Sequence, residues 1–183
     1  PALLDIGIAI YRLDWVYKPF FARVLSGLGE MAHQRGYRLH LCTTDPERRE
    51  EANYYLRLME EERVQAFLIA GEEAKLEDLD RLHAQRVPFV LFNYHIPWKR
   101  YCCARLDNPK AAYEATAHLT ALGHARIAFL ISEKSHRLDQ ERLQGYEKAL
   151  AEAGGVFRPE YIRETCFEEM RVRTAVEELW NLP

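Results

Sequence analysis

The sequence predicts an α/β fold: parallel sheets with helices on both faces. Two observations carry this. Short apolar, β-branched runs recur along the chain, and amphipathic segments of helical period separate them in strict alternation. Ile6–Ile10 (Ile-Gly-Ile-Ala-Ile) is the first such run, of the kind expected for a strand buried on both faces. The next segment sets Phe20, Phe21, Val24, Leu28 and Met31 on one helical face, and Gly36 ends it. Tyr37–Cys42 then alternates as a strand does. Asp45-Pro46 is expected to open a helix, with Asp45 as cap, that turns Ala52, Tyr55, Leu56 and Met59 inward.

The cycle continues. A strand at Ala66–Ala70 leads to a helix with Leu76, Leu79 and Leu82 inward, and a strand at Phe89–Phe92 leads into an irregular stretch from Tyr94 to Arg105. Asp107-Asn108-Pro109 caps the following helix, Gly123 ends it, and Ile127–Ile131 is the next buried strand. A helix with Leu143, Tyr146 and Leu150 runs to Gly154-Gly155. A weak strand at Tyr161–Thr165 precedes a last helix with Val172, Ala175, Val176 and Leu179 inward. Ser26-Gly27-Leu28-Gly29 falls inside the first helix and reads as a packing feature.

Composition excludes several functions. In 183 residues, 25 basic and 28 acidic side chains give a net charge of −3, and 48% of residues are apolar. Neither half is basic: 16 basic face 17 acidic residues through Leu122, and 9 face 11 after it. This polypeptide therefore lacks the electrostatic footprint that phosphate backbones demand. No apolar run is long enough to span a membrane. The four cysteines form neither a disulfide framework nor a paired zinc motif, which favours a reducing cytoplasm.

Ligands of open parallel sheets bind beyond the carboxyl ends of the strands. That rule draws attention to Tyr11, Asn93, Tyr94 and Ser132. No catalytic constellation accompanies them. The chain has no GxGxxG after its first strand, no Walker A sequence, no GxSxG elbow and no HExxH. His118 and His124 flank a helix end without a third ligand. No enzyme activity, cofactor or metal is expected.

One stretch is specific. Asp107-Asn108-Pro109 opens a helix that carries His118-Leu119, and Leu122-Gly123-His124-Ala125-Arg126-Ile127-Ala128-Phe129 follows. The order resembles the signature of the lactose-repressor/galactose-repressor (LacI/GalR) family of bacterial transcription regulators. Pro19-Phe20-Phe21, Arg35-Gly36-Tyr37, Thr44-Asp45 and Arg142-Leu143-Gln144-Gly145-Tyr146 resemble further motifs of that family in the same order. The family's helix-turn-helix head has no counterpart here. Lys18 stands for the Asn before Pro19, Ala111 for the glycine after Asp-Asn, and the loop from Arg12 to Lys18 is longer and more aromatic.

The resemblance implies the effector-binding core of a regulator, similar to type I periplasmic binding proteins. It implies two subdomains, 1–122 and 123–183, facing each other across a cleft, with the second continuing in the family beyond the length seen here. A small-molecule effector, a sugar or related metabolite, would alter the operator affinity of the upstream head in a cytoplasmic homodimer, usually as a repressor. The alternative is a periplasmic sugar-binding protein of a transporter. By resemblance Arg142 reaches the effector; its guanidinium suits paired hydroxyls or a carboxylate, and the competing role is a helix ion pair near Asp139. Phe167 matches a stacking aromatic or else a core residue. Phe20 and Phe21 start the helix that faces the cleft. Asp107 reads as a helix cap.

Overall fold

The computed structural model describes residues 4–10, 16–43, 48, 51–70, 74–94 and 101–182. Five parallel strands form one sheet: β1 (Leu4–Ile10), β2 (Tyr37–Thr43), β3 (Ala66–Ala70), β4 (Phe89–Phe92) and β5 (Cys103–Ala104), in the order β2-β1-β3-β4-β5. In register, Ile8 lies between Leu41 and Leu68, and Ala9 between Cys42 and Ile69. The helices of this unit are α1 (Pro19–Arg35), α2 (Tyr54–Glu62) and α3 (Leu76–Ala84).

Strand periodicity decides which residues each layer buries. Ala9, Cys42, Phe67, Ile69 and Leu91 meet Tyr54, Tyr55, Leu58, Leu79 and Leu82 of α2 and α3 in one core. Burial pushes the Cys42 thiol up to about 11, with Glu62 adding to the effect, so this cysteine is an inert part of the core. All four cysteines are free.

The opposite face carries Ile8, Ile10, Leu41, Val90 and Phe92, and α1 lies on it through Phe20, Phe21 and β2. Its cover is thinner: Leu41 is 45% and Val90 38% exposed. Gly36 ends α1 in the left-handed region at φ 68°, its N–H reaching the Ala32 and His33 carbonyls. Of the expected inward face, Phe21, Val24 and Leu28 are half-buried, but Met31 is 48% exposed and Ala32 is the buried residue instead. Gly27 and Gly29 pack against nothing, since an added Cβ at either would meet no atom within 4 Å.

A second unit holds a two-stranded parallel sheet, β6 (Phe129–Ile131) and β7 (Ile162–Glu164), with α4 (Asn108–Ala121), α5 (Arg137–Glu152) and α6 (Glu169–Trp180). Its core is Ile127, Ile131, Tyr146, Leu150 and Ile162. Tyr146 is fully buried, donates its hydroxyl to the Ile127 carbonyl at 2.8 Å, and is pushed up to about 12 by burial. Asp107 caps α4 by accepting from the Lys110 amide at 3.1 Å, as the sequence predicts.

The compact units divide between Arg105 and Leu106, whereas the sequence places the division after Leu122. The reason is α4, which packs against α5. A Cβ at Gly145 would lie 2.9 Å from the Tyr113 amide nitrogen and closer still to the Pro109 carbonyl oxygen, so only glycine permits this approach.

Other expectations shift at their edges. Tyr54 starts α2, so Ala52 precedes the helix and is exposed; Asp45 and Pro46 lie outside the described residues. Leu76 and Val176 face outward at 44% and 48% exposure, while Leu79, Leu82 and Ala175 are buried. The short edge strand β5 is absent from the sequence reading.

Candidate functional site

Each sheet presents candidate residues at its carboxyl edge, and the two edges are built differently. In the first unit the edge is aromatic. Phe20 stacks on Phe92 with centroids 5.9 Å apart and an interplanar angle of 22°, and Phe21 meets Phe92 edge-on at 6.2 Å. Phe20 is 44% exposed while Phe21 and Phe92 are half-buried. Phe92 ends β4 and completes the cluster; as a strand residue it carried no signal of its own in the sequence.

Asn93 follows it in the left-handed region at φ 53°, a conformation asparagine tolerates. Its N–H donates to the Ala104 carbonyl at 2.9 Å, and its buried side-chain oxygen has no hydrogen-bond partner among the described residues. Tyr94 is only 7% exposed, belongs to the core, and donates its hydroxyl to the Ala74 carbonyl at 2.6 Å. Tyr11 lies outside the described residues.

In the second unit the edge is a polar network. Directly after β6, the Ser132 and Glu133 amides donate to Asp139 Oδ2 at 3.0 and 3.2 Å, and the Ser132 hydroxyl donates to the same oxygen. Asp139 Oδ1 accepts from an Arg142 terminal nitrogen at 2.9 Å. Arg142 Nε donates to Asn108 Oδ1 at 3.0 Å, and Asn108 Nδ2 donates to Glu141 Oε2 at 3.3 Å. Asn108, Ser132, Asp139 and Glu141 are all buried.

Within this network the Arg142 side chain reaches solvent, 34% exposed. The helix ion pair and the presentation at a strand end are therefore compatible: Asp139 pairs with Arg142 one turn away and also grips the end of β6. Phe167 follows β7 at φ 58° and is 69% exposed, so it is not a core aromatic. The ends of the two strands are tied together, since the Thr165 and Cys166 amides donate to the Ile131 and Ser132 carbonyls at 2.9 and 3.0 Å. Asn108 and Asp139 are functional candidates that sequence reasoning treated as a cap residue and an ion-pair partner. Their signal is the spacing Asp139-x-x-Arg142 behind a strand that ends in Ile131, with Ser132 directly after it.

Among the described residues no group of three or more His, Cys, Asp or Glu side chains is arranged to hold a metal ion. No described helix is long and apolar enough to cross a membrane.

Residues 6–183 match the family described as periplasmic binding proteins and sugar binding domain of LacI family. The chain belongs to this family. Among curated relatives it is 29% identical over 167 residues to the HTH-type transcriptional repressor PurR of Aliivibrio fischeri strain MJ11, covering 91% of this chain and 49% of that protein. It is 26% identical over 163 residues to the HTH-type transcriptional regulator DegA of Bacillus subtilis, covering 87% and 48%.

The chain thus spans about half the length of the curated relatives it matches. The fold matches a LacI-family regulatory protein of Chloroflexus aggregans (TM-score 0.79, 22% identity, 98% of this chain and 64% of that one). It also matches the Escherichia coli transcriptional repressor ascG (TM-score 0.79, 23% identity, 97% and 64%). The matched region is the effector-binding domain. The relatives are transcription regulators, which are not enzymes, and the transporter alternative is not favoured.

Proposed function

We propose that this chain senses a small effector on behalf of a cytoplasmic transcription regulator, and that effector binding alters the operator affinity of a helix-turn-helix head outside this sequence. The effector is a sugar or a related metabolite, and the regulator acts as a repressor, as its PurR relatives are named. The observation that carries the reading is Arg142: a guanidinium fixed by Asp139 and Asn108 at the end of β6, with donors still facing solvent. Phe167, Phe20 and Phe21 supply aromatic surface at the strand ends, and the buried Asn93 side-chain oxygen has no hydrogen-bond partner among the described residues. A ligand shifts such a protein only through a difference in affinity between its two arrangements.

The test is calorimetry on the full-length protein with an effector found by thermal-stabilisation screening. Arg142→Ala removes a charge-assisted donor, which costs about 1.5–3 kcal/mol, or one to two decades in affinity. Arg142→Lys recovers little, because a point ammonium cannot reproduce the planar fork. Unchanged affinity in Arg142→Ala refutes the assignment; unfolding shows a structural residue.

A further inference from the structure

We propose that Asp139 is the positioning residue of the effector site: it orients Arg142 and neutralises it, so that the site selects an uncharged, acceptor-rich ligand over an anion. The inference deepens the reading of Arg142 as an effector contact and rests on it. Asp139 sits at the third residue of α5, yet its carboxylate leaves the helix to grip the loop that enters it. One oxygen takes the Ser132 and Glu133 amides and the Ser132 hydroxyl; the other takes Arg142. A single buried side chain, 3% exposed, thereby sets the end of β6 and the direction of the guanidinium together.

Two of the five N–H donors of the guanidinium are committed, one to Asp139 and one to Asn108. The rest point where no described protein group takes them. Their charge is already matched at 2.9 Å by a carboxylate in a poorly solvated position, where charges are weakly screened. The groups around the pair reinforce this. Glu141 is buried beside Asn108, and Glu133 and Glu164 stand at the same edge; the further cations there are Lys134 and Arg171, the latter 3.4 Å from Cys166 Sγ and paired with Glu168 at 2.9 Å. His136 Nδ1 lies 3.9 Å from Asp139 Oδ2. An arriving anion therefore meets a neutralised arginine among further carboxylates, whereas hydroxyl or carbonyl oxygens need only the remaining donors. A lone cleft arginine would favour a carboxylate or phosphate; this one is set for neutral acceptors.

The test uses the full-length protein and inorganic sulfate as the anion probe, read on the Arg142 Nε–H resonance by nitrogen-15 NMR, with Arg142→Lys to assign the signal. In the wild type the resonance is sharp and does not move saturably as sulfate is added. In Asp139→Asn, which keeps the shape and removes the charge, it moves saturably with sulfate. Asp139→Glu keeps the charge on a longer arm, so it retains indifference to sulfate and guards against an Asn variant that fails to fold. A saturable sulfate response in the wild type overturns the proposal, as does a folded Asp139→Asn protein no more responsive than wild type, or a sulfate-responsive Asp139→Glu protein. Failure of the underlying reading looks different: Arg142→Ala then leaves affinity for a screened effector intact while the sulfate responses stand as expected.

Discussion

Asp5, the second residue of β1, joins three strands. Its backbone exchanges hydrogen bonds with Gln65 just before β3, its amide meeting the Gln65 side chain at 2.6 Å and its carbonyl the Gln65 amide at 2.8 Å. Its carboxylate takes a fork from Arg38 at 2.7 and 2.6 Å and a contact from His40 Nε2 at 2.6 Å, both on β2. The Arg38 hydrogen bonds foremost, then His40, hold the Asp5 carboxyl down at about 2 against the opposing effect of burial. Because the folded value lies below the ordinary 3.8, the stabilisation is complete above that value and is lost as pH falls toward 2. Urea midpoints of wild type and Asp5→Asn, followed from about pH 6 to about pH 2, are expected to differ most at the upper end and to converge at the lower. A gap that does not narrow below the ordinary carboxylate range contradicts the assignment. Residue identity was only partly legible from sequence. Asp139 three residues before Arg142 could be paired by helical spacing, whereas its hold on Ser132 depends on how the β6–α5 loop folds back. Tyr94 also follows a strand end, yet its side chain returns to the core, which strand-end position alone does not tell.

At the level of elements, Gly145 decides how two helices meet. The sequence showed the Arg-x-x-Gly-aromatic spacing as a motif; the structure shows its work, since Gly145 lets α5 touch the backbone of α4 at Pro109 and Tyr113 while Arg142, one turn earlier, reaches Asn108. Gly145→Ala must push backbone from backbone, and such overpacking costs about 1–3 kcal/mol, outweighing the gain in helix propensity. Gly27→Ala, with open space around it in α1, is expected to raise stability by about 0.5–1 kcal/mol instead. Chemical denaturation of the two variants checks both signs; a stabilised Gly145→Ala refutes the close packing of α4 on α5. Strand and helix order was legible because buried parallel strands are continuous apolar runs and helices carry their own period. What escaped was decided by tertiary contact. The two residues of β5 are too few to show a period, and Met31, Leu76 and Val176 lie where a helical stripe passes out of contact with the sheet.

For the whole protein, the expected assembly is a homodimer, and operator binding is expected to require it. The chain itself carries a net charge of −3, with no basic half, so affinity for phosphate backbones is not expected of it. A helix-turn-helix head reads one half-site, and two heads related by a two-fold axis match a palindrome by geometry, each entering the major groove one helical turn from the other. The PurR and DegA relatives are named as helix-turn-helix regulators, and this chain covers 49% and 48% of their lengths. Sedimentation of the full-length protein at micromolar concentration should therefore give the mass of a dimer, and the same preparation should bind a palindromic operator with a steep salt dependence. The 183-residue chain alone should bind DNA no better than a neutral control protein at matched salt. Tight, salt-sensitive binding by the chain alone would show that the charge balance misleads, and a monomer that holds the palindrome tightly would remove the need for two-fold pairing.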